Sequence, residues 1–141
     1  MDFDKAGNKK MVSNQILVIE DEIEFAQMMK IRLELSGYDV GVATDTQSGL
    51  DAVLRGEYDL LILDLMMPGG GGFALLEQIK SRGEIGQLPV IVVTGKTMTP
   101  EVKAMIGAYH IAATFTKPYD PVEFIEKVKA LMSASGSAGI H

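Results

Sequence analysis

The sequence predicts an α/β fold in which a five-stranded parallel sheet carries helices on both faces. Along the 141 residues, five short apolar runs alternate with five segments of helical spacing. Several runs are apolar throughout, as is typical of strands that are covered on both faces. The strands are predicted at residues 15–20, 39–43, 60–63, 89–94 and 113–116.

The helices are predicted from apolar spacing and from the residues that start or end them. In the first helix, Ile23, Ala26 and Leu33 recur at helical spacing, and Gly37 follows as its C-cap. The last two helices each begin with a capping residue followed by proline, which suits the first helical position. The helices are predicted at residues 22–36, 48–55, 73–81, 100–108 and 121–132.

Short crossovers of this kind force the strands to run parallel with right-handed connections. Five such units suit the doubly wound, flavodoxin-like (βα)5 arrangement, with strand order 2-1-3-4-5. In these sheets a ligand binds beyond the carboxyl ends of the strands, where the strand order reverses. The ligand crevice is therefore expected between the first and third strands.

Composition indicates one domain at residues 14–132, between flexible segments at 1–13 and 133–141. A net charge of −6 without a large Lys/Arg cluster argues against a direct nucleic-acid ligand. No apolar run reaches the roughly 20 residues of a membrane span, and the first residues do not form a signal peptide. A cytoplasmic protein without a membrane partner is expected, and the absence of cysteine excludes disulfides and thiolate metal sites.

Carboxylates stand at the ends of two predicted strands. Glu20-Asp21-Glu22 follows the first apolar run, and Asp64 ends the third. Crowded carboxylates repel by about 4 kcal/mol per pair at about 4 Å and an effective dielectric constant of about 20, so they need a counter-charge. Mg2+ suits the role, with Asp21 and Asp64 as ligands, a backbone carbonyl, and Glu20 acting through water. An acidic first helical turn is the alternative for the first cluster alone, and Asp64 favours the metal site.

Two further strand ends supply polar groups suited to phosphate. Thr94 ends the fourth strand, and Lys117 follows the fifth. A hydroxyl and an ammonium beside a metal-bound carboxylate can bind phosphoryl oxygens. Either residue alone would be an ordinary strand end or a solvated lysine, but their shared edge of the sheet favours a phosphate site.

These residues strongly resemble the receiver domain of two-component response regulators. The resemblance covers about residues 15–132 and includes each position of the family's phosphorylation site. It implies that a sensor histidine kinase or phosphotransfer protein donates a phosphoryl group, and that the domain then controls a downstream effector or output domain. The motifs are Glu20-Asp21, Asp64-Leu65-Met66-Met67-Pro68 with Gly72, Thr94-Gly95 and Lys117-Pro118.

The resemblance also implies a role for each carboxylate. Asp64 would be the phospho-acceptor. Glu20 and Asp21 would bind Mg2+ together with this acceptor and the backbone carbonyl of Met66. The domain would catalyse only its own phosphorylation and dephosphorylation, so it is not an enzyme in the usual sense.

On the phosphate side, the resemblance implies that Thr94 binds a phosphoryl oxygen. Lys117 would pair with Asp64 and then with its phosphate. The bond between Lys117 and Pro118 is a candidate for the cis isomer, which is common at this place in the family.

The sequence departs from the family pattern near the fifth strand. Thr114 stands where receivers usually carry an aromatic switch residue, and Phe115 is expected to point into the core because side chains alternate along a strand. Ala112-Ala113 replaces a pair that is often acidic, so a monomer or weak dimer is expected rather than a salt-bridged dimer. His110, where the family often has glycine, is expected as a loop residue near a helix end.

A second departure lies beside the acceptor. Residues 69–72 are all glycine, only Gly72 matches the family pattern, and a mobile loop is expected there. The resemblance implies that Met66 and Lys96 flank the path of the water that hydrolyses the phosphate. The apolar Met66 cannot orient a water for attack, and Lys96 could cover the phosphate or pair with it, so slow hydrolysis is expected.

Single positions exclude two rival phosphate sites. A haloacid-dehalogenase-type phosphatase needs an acid at Met66, and a P-loop needs a glycine at Val90. A flavin phosphate would be repelled by the acidic cluster of the first strand. The alternative that stays open is a receiver fold that works as an interaction module without phosphorylation. The segment after Met132 is too short for an output domain, so we expect either a stand-alone receiver or part of a longer protein.

Overall fold

The computed structural model describes residues 14–67, 71–95 and 99–138, with side chains as far as Ser133. Within these ranges, strands and helices alternate, and the sequence pattern missed only a short 3-10 turn at Ile85–Gln87. None of the helices in this part of the chain is long and apolar enough to cross a membrane. The elements are β1 (Gln15–Ile19), α1 (Ile23–Leu35), β2 (Asp39–Ala43), α2 (Thr46–Leu54), β3 (Leu60–Asp64), α3 (Gly71–Lys80), β4 (Val90–Thr94), α4 (Pro100–Tyr109), β5 (Ala113–Thr116) and α5 (Pro121–Ala138).

The five strands form one parallel sheet in the order β2-β1-β3-β4-β5, which confirms the predicted arrangement. Ile19, the last residue of β1, pairs with Leu63 of β3. Asp64, which ends β3, pairs with Val93 of β4. The carboxyl ends of the central strands are therefore level with one another, and the residues that follow them meet at one edge of the sheet.

A hydrophobic core covers each face of the sheet because side chains alternate along every strand. In β3, Leu61 and Leu63 pack into the cluster beneath α2, α3 and α4. Leu60 and Ile62 pack on the other face, against α1 and α5. All four are at most 1% exposed, and burial of each such side chain contributes about 1.5–3 kcal/mol. The carboxyl ends of the strands are thus held in place by a core that is packed on both faces of the sheet.

Most helix boundaries differ from the sequence prediction by one or two residues, and the end of α5 differs by six. α3 begins at Gly71, within the loop that was expected at residues 69–72. α2 begins at Thr46 because the side chain of Asp45 accepts a hydrogen bond of 2.7 Å from the N–H of Ser48 and caps the helix. α5 runs from Pro121 to Ala138, six residues past its predicted end. Serine and alanine there do not block a helix as proline does, and one glycine costs only about 1 kcal/mol. Residues expected in the terminal segment are thus helical.

Two helical glycines, one packed and one exposed, give a matched test of how closely α3 packs on β3. A Cβ atom at Gly72 would lie 2.6 Å from the backbone oxygens of Asp64 and Leu65, whereas one at Gly107 would meet nothing within 4 Å. We expect Gly72→Ala to lower the free energy of unfolding by about 1–3 kcal/mol through overpacking. Gly107→Ala should raise it by about 0.5–1 kcal/mol through helix propensity. Urea unfolding measures both, and equal stabilisation by the two changes would contradict the close packing of α3 on β3.

Candidate functional site

The predicted site residues lie together at the carboxyl edge of the sheet. Glu20 follows β1, Asp64 ends β3, Thr94 ends β4 and Lys117 follows β5. The two carboxylates and the threonine are buried, with 2%, 4% and 2% of their surface exposed. Burial of ionisable groups is costly unless they are paired, so their collection at one edge marks a candidate functional site.

Lys117 is the cation at the centre of this group. Its Nζ atom lies 2.7 Å from Oε1 of Glu20 and donates a hydrogen bond to it. The same atom lies 3.6 Å from Oδ2 of Asp64 and 3.8 Å from Oε1 of Glu22. The family resemblance implied a pair between Lys117 and Asp64. The structure brings the two within ion-pair distance, but the closer partner of the lysine is Glu20.

The pKa values of Glu20 and Lys117 follow from the burial of both groups and from their contacts. Desolvation raises the pKa of Glu20 to about 7, although hydrogen bonds from Lys117 and from the N–H of Glu22 oppose the rise. The neighbouring carboxylate of Asp64 adds to it. Burial lowers the pKa of Lys117, but its hydrogen bond to Glu20 and the charges of the surrounding carboxylates outweigh this, so its pKa is raised. The lysine is therefore held firmly as a cation among acidic groups.

Three carboxylates form a set that could hold a cation. Glu20, Asp21 and Asp64 each offer one oxygen, and these oxygens lie within 4.8 Å of one another. All are hard oxygen donors of the kind that Mg2+ prefers. Oδ1 of Asp64 accepts a hydrogen bond of 2.9 Å from the N–H of Met66, which orients the carboxylate. The donor set thus fits a hard divalent cation.

Thr94 and Lys117 are connected through the backbone. The N–H of Lys117 donates a hydrogen bond of 2.7 Å to the carbonyl of Thr94, directly after the last paired residues of β4 and β5. The peptide bond between Lys117 and Pro118 is cis, as anticipated. The hydroxyl-bearing and ammonium-bearing residues therefore stand side by side at the same edge as Asp64.

The structure confirms the expected positions of Phe115 in the core and of His110 at a helix end. Phe115 packs against the core on the α1 and α5 face, with its ring centroid 5.2 Å from that of Phe124. Thr114 pairs with Val92, which packs on the opposite face of the sheet. His110 ends α4 in the left-handed conformation, with φ of 53°, which explains why this position suits glycine.

One contact at the site was not predicted from the sequence. The Nζ atom of Lys117 lies 4.2 Å from the centroid of the Phe25 ring in α1. Phe25 lies in the first turn of α1, and no motif in the sequence connected it with Lys117. Among the other predicted positions, Pro68, Lys96 and residues 69–70 lie outside the described part of the chain.

Comparisons with known proteins agree on one family. The family model of the response regulator receiver domain matches residues 16–129. The chain is 31% identical over 129 residues to an uncharacterized transcriptional regulatory protein, YkoG of Bacillus subtilis, covering 90% of this chain and 54% of the relative. It is 33% identical over 118 residues to the response regulator ArlR of Staphylococcus aureus, covering 84% and 52%. The chain thus spans about half the length of these curated relatives.

Solved structures show the same likeness. A CheY-like response regulator receiver domain protein from Methanospirillum hungatei superposes with a TM-score of 0.79 at 26% identity, over 89% of this chain and 98% of that one. The signal receiver domain of a DNA binding response regulator from Colwellia psychrerythraea gives 0.76 at 30% identity, over 85% and 98%. The fold of most of the chain is therefore shared with these domains.

Proposed function

The chain belongs to the response regulator receiver domain family, and from this premise we propose that it accepts a phosphoryl group on Asp64 and changes conformation in response. The observation that carries the proposal is the geometry of one buried carboxylate. Asp64 is 4% exposed, lies 3.6 Å from a lysine ammonium and shares its edge of the sheet with two further acids and a threonine. An ordinary structural carboxylate does not need all of these neighbours.

Asp64 is held ready for attack by its hydrogen bond. Because the N–H of Met66 binds Oδ1, the carboxylate plane is fixed and Oδ2 points toward Lys117. In the transfer a carboxylate oxygen forms a bond to phosphorus, and the bond from phosphorus to the donor's histidine nitrogen breaks. The proton that the leaving imidazole then needs comes from solvent or from the donor protein. A fixed carboxylate lowers the entropic cost of reaching this alignment.

The acidic set has a second role in the proposal. Glu20, Asp21 and Asp64, together with the carbonyl of Met66, would hold Mg2+, which when bound offsets the negative charge of the phosphoryl group. Lys117 supplies one positive charge at the same place. The donor set of three hard oxygens within 4.8 Å supports this assignment.

Charge accounting explains how phosphorylation would act as a signal. Three carboxylates, one ammonium and one divalent cation sum to zero. An aspartyl phosphate of about −2 in place of one carboxylate leaves the site near −1. The new charge would draw the Lys117 ammonium and the Thr94 hydroxyl toward the phosphate. For the lysine this means a shift from Glu20, its closer partner, toward Asp64.

Incubation with acetyl phosphate and Mg2+, followed by intact mass measurement, tests the function. We expect one phosphoryl group per chain, and none when a chelator is in excess. A sensor histidine kinase or phosphotransfer protein is the proposed physiological donor, and an effector or output domain the proposed target. Absence of phosphate uptake from acetyl phosphate in the presence of Mg2+ would favour an interaction module that works without phosphorylation.

We expect the phosphorylated form to be long-lived, lasting many minutes. Met66 is 40% exposed beside the acceptor, and its apolar side chain cannot orient a water for in-line attack. Lys96 would cover or pair with the phosphate. Loss of phosphate after donor removal, followed by intact mass, measures the lifetime. The double variant Met66→Asn, Lys96→Glu should lose phosphate faster, and decay of the wild type within seconds would disprove the shielding by these residues.

A further inference from the structure

The Lys117 ammonium rests against an aromatic ring as well as against carboxylates. Its Nζ atom lies 4.2 Å from the centroid of Phe25, within the range of a cation–π contact. We propose that Phe25 is a positioning residue that holds the Lys117 ammonium in its resting place beside Glu20. In a protein that works as proposed above, this contact sets how readily the lysine moves to a phosphorylated Asp64.

The Phe25 ring is itself held in place by other rings. It packs edge-on against Tyr119, with centroids 5.9 Å apart and planes at 89°. Tyr119 in turn packs on Phe124 at 4.7 Å and on Phe115 at 6.0 Å. Edge-to-face pairs, such as those that Tyr119 forms with Phe25 and Phe115, are favourable beyond their buried area. The ring that faces the ammonium therefore has a fixed position, supported from β5 and α5.

The Phe25 ring attracts the ammonium without adding a negative charge, which another carboxylate could not do. Glu20, Asp64 and Glu22 already lie within 4.0 Å of Nζ, so a further acid would add repulsion among the acids. An aromatic face attracts the cation without a net charge and keeps water from it. The Lys117 side chain is only 17% exposed, which strengthens this attraction relative to a solvated contact.

The contact resists the movement that phosphorylation requires. When the ammonium moves toward a phosphate on Asp64, it leaves Glu20, and we expect it to leave the ring as well. Because the cation–π attraction to Phe25 is lost in this movement, the contact favours the resting state. Weakening the ring should consequently favour the active state, and this effect should depend on the aromatic face rather than on packing volume.

Proton spectra of the lysine side chain test the contact in the wild type. Methylene protons next to an ammonium over a ring face are shifted upfield by the ring current. We expect this shift for the Lys117 ε-methylene protons at rest, and its loss when beryllofluoride and Mg2+ are added as a phosphate mimic. An ordinary shift at rest, or an upfield shift that beryllofluoride leaves unchanged, would overturn the proposal without reference to any variant.

Three variants separate the cation contact from packing. Phe25→Leu should bind beryllofluoride roughly two- to tenfold more tightly, as expected when a cation–π contact of ordinary strength is lost from the resting state. Phe25→Tyr should bind as the wild type does. Phe115→Leu removes another ring of the same cluster, which reaches Phe25 only through Tyr119, and it should change the affinity far less than Phe25→Leu. Equal effects of Phe25→Leu and Phe115→Leu would show a packing effect and overturn the inference.

Phosphate uptake by the same variants distinguishes this inference from the proposed function. If the wild type takes up no phosphate from acetyl phosphate, the proposed function fails, while the ring-current shift at rest still reports the contact. If all variants take up phosphate and bind beryllofluoride equally, the function stands and the role of Phe25 is wrong.

Discussion

Asp64→Asn is expected to abolish phosphate uptake from acetyl phosphate in the presence of Mg2+. The amide lacks the charged oxygen that attacks phosphorus, and it removes one of the three negative charges of the cation set. Asparagine has nearly the same shape, and its side-chain oxygen can still accept the hydrogen bond that Asp64 accepts from the N–H of Met66. Intact mass after incubation should show a shift of one phosphoryl group in the wild type and none in the variant.

The fold of Asp64→Asn should remain intact, so that loss of uptake reports on chemistry. The change removes one buried negative charge near Glu20, whose pKa is raised partly by Asp64. Relief of this repulsion should keep the free energy of unfolding at or above the wild-type value. Asp51→Asn, the same change at an exposed position of α2, should leave phosphate uptake intact. Undiminished uptake in Asp64→Asn would refute the assignment of the acceptor.

The fold could be predicted from the sequence because its central strands are continuous apolar runs. The residues of β3 and β4 are all buried, so continuous apolar runs identified both strands within one residue of their ends. Helix ends depend on small differences in helix propensity between neighbouring residues. The end of α5 was predicted too early because no single residue near it decides the boundary, and several weak propensities sum to a longer helix.

The site could be predicted in outline because parallel strands bring their carboxyl ends together. This rule alone predicts that Glu20, Asp64, Thr94 and Lys117 lie at one edge of the sheet. It does not determine which carboxylate a flexible lysine prefers. Lys117 lies nearer to Glu20 than to Asp64, and it lies over Phe25, because side-chain rotamers and the packing of α1 decide those contacts.

Lys117→Met is expected to separate phosphorylation from its structural effect. The variant keeps Asp64 and the acidic set, so it should still gain phosphate from acetyl phosphate and Mg2+. It lacks the ammonium that the new charge would draw away from Glu20, and methionine of similar length cannot replace that charge. Amide spectra should therefore change far less on addition of beryllofluoride than those of the wild type.

The same variant should alter stability in a way that depends on Mg2+. Without the lysine, buried Glu20 and Asp64 lose the cation that lies 2.7 Å and 3.6 Å from them. Removal of one partner from a buried ion pair costs up to about 3–5 kcal/mol. The cost here should be smaller, because the raised pKa of Glu20 allows its carboxyl to take up a proton. Added Mg2+ should then stabilise Lys117→Met more than the wild type, since no ammonium competes for the carboxylates.

Thermal unfolding with and without Mg2+ measures this difference, and a second lysine supplies the control. Lys30→Met removes a lysine that pairs with Glu34 on the α1 surface, with the same change in net charge. That variant should keep both the wild-type beryllofluoride response and the wild-type stabilisation by Mg2+, because surface ion pairs contribute little.

If Lys117→Met instead shows the wild-type pattern of amide shifts with beryllofluoride, the ammonium does not carry the signal. The response would then have to pass through Thr94 and the segment that follows it.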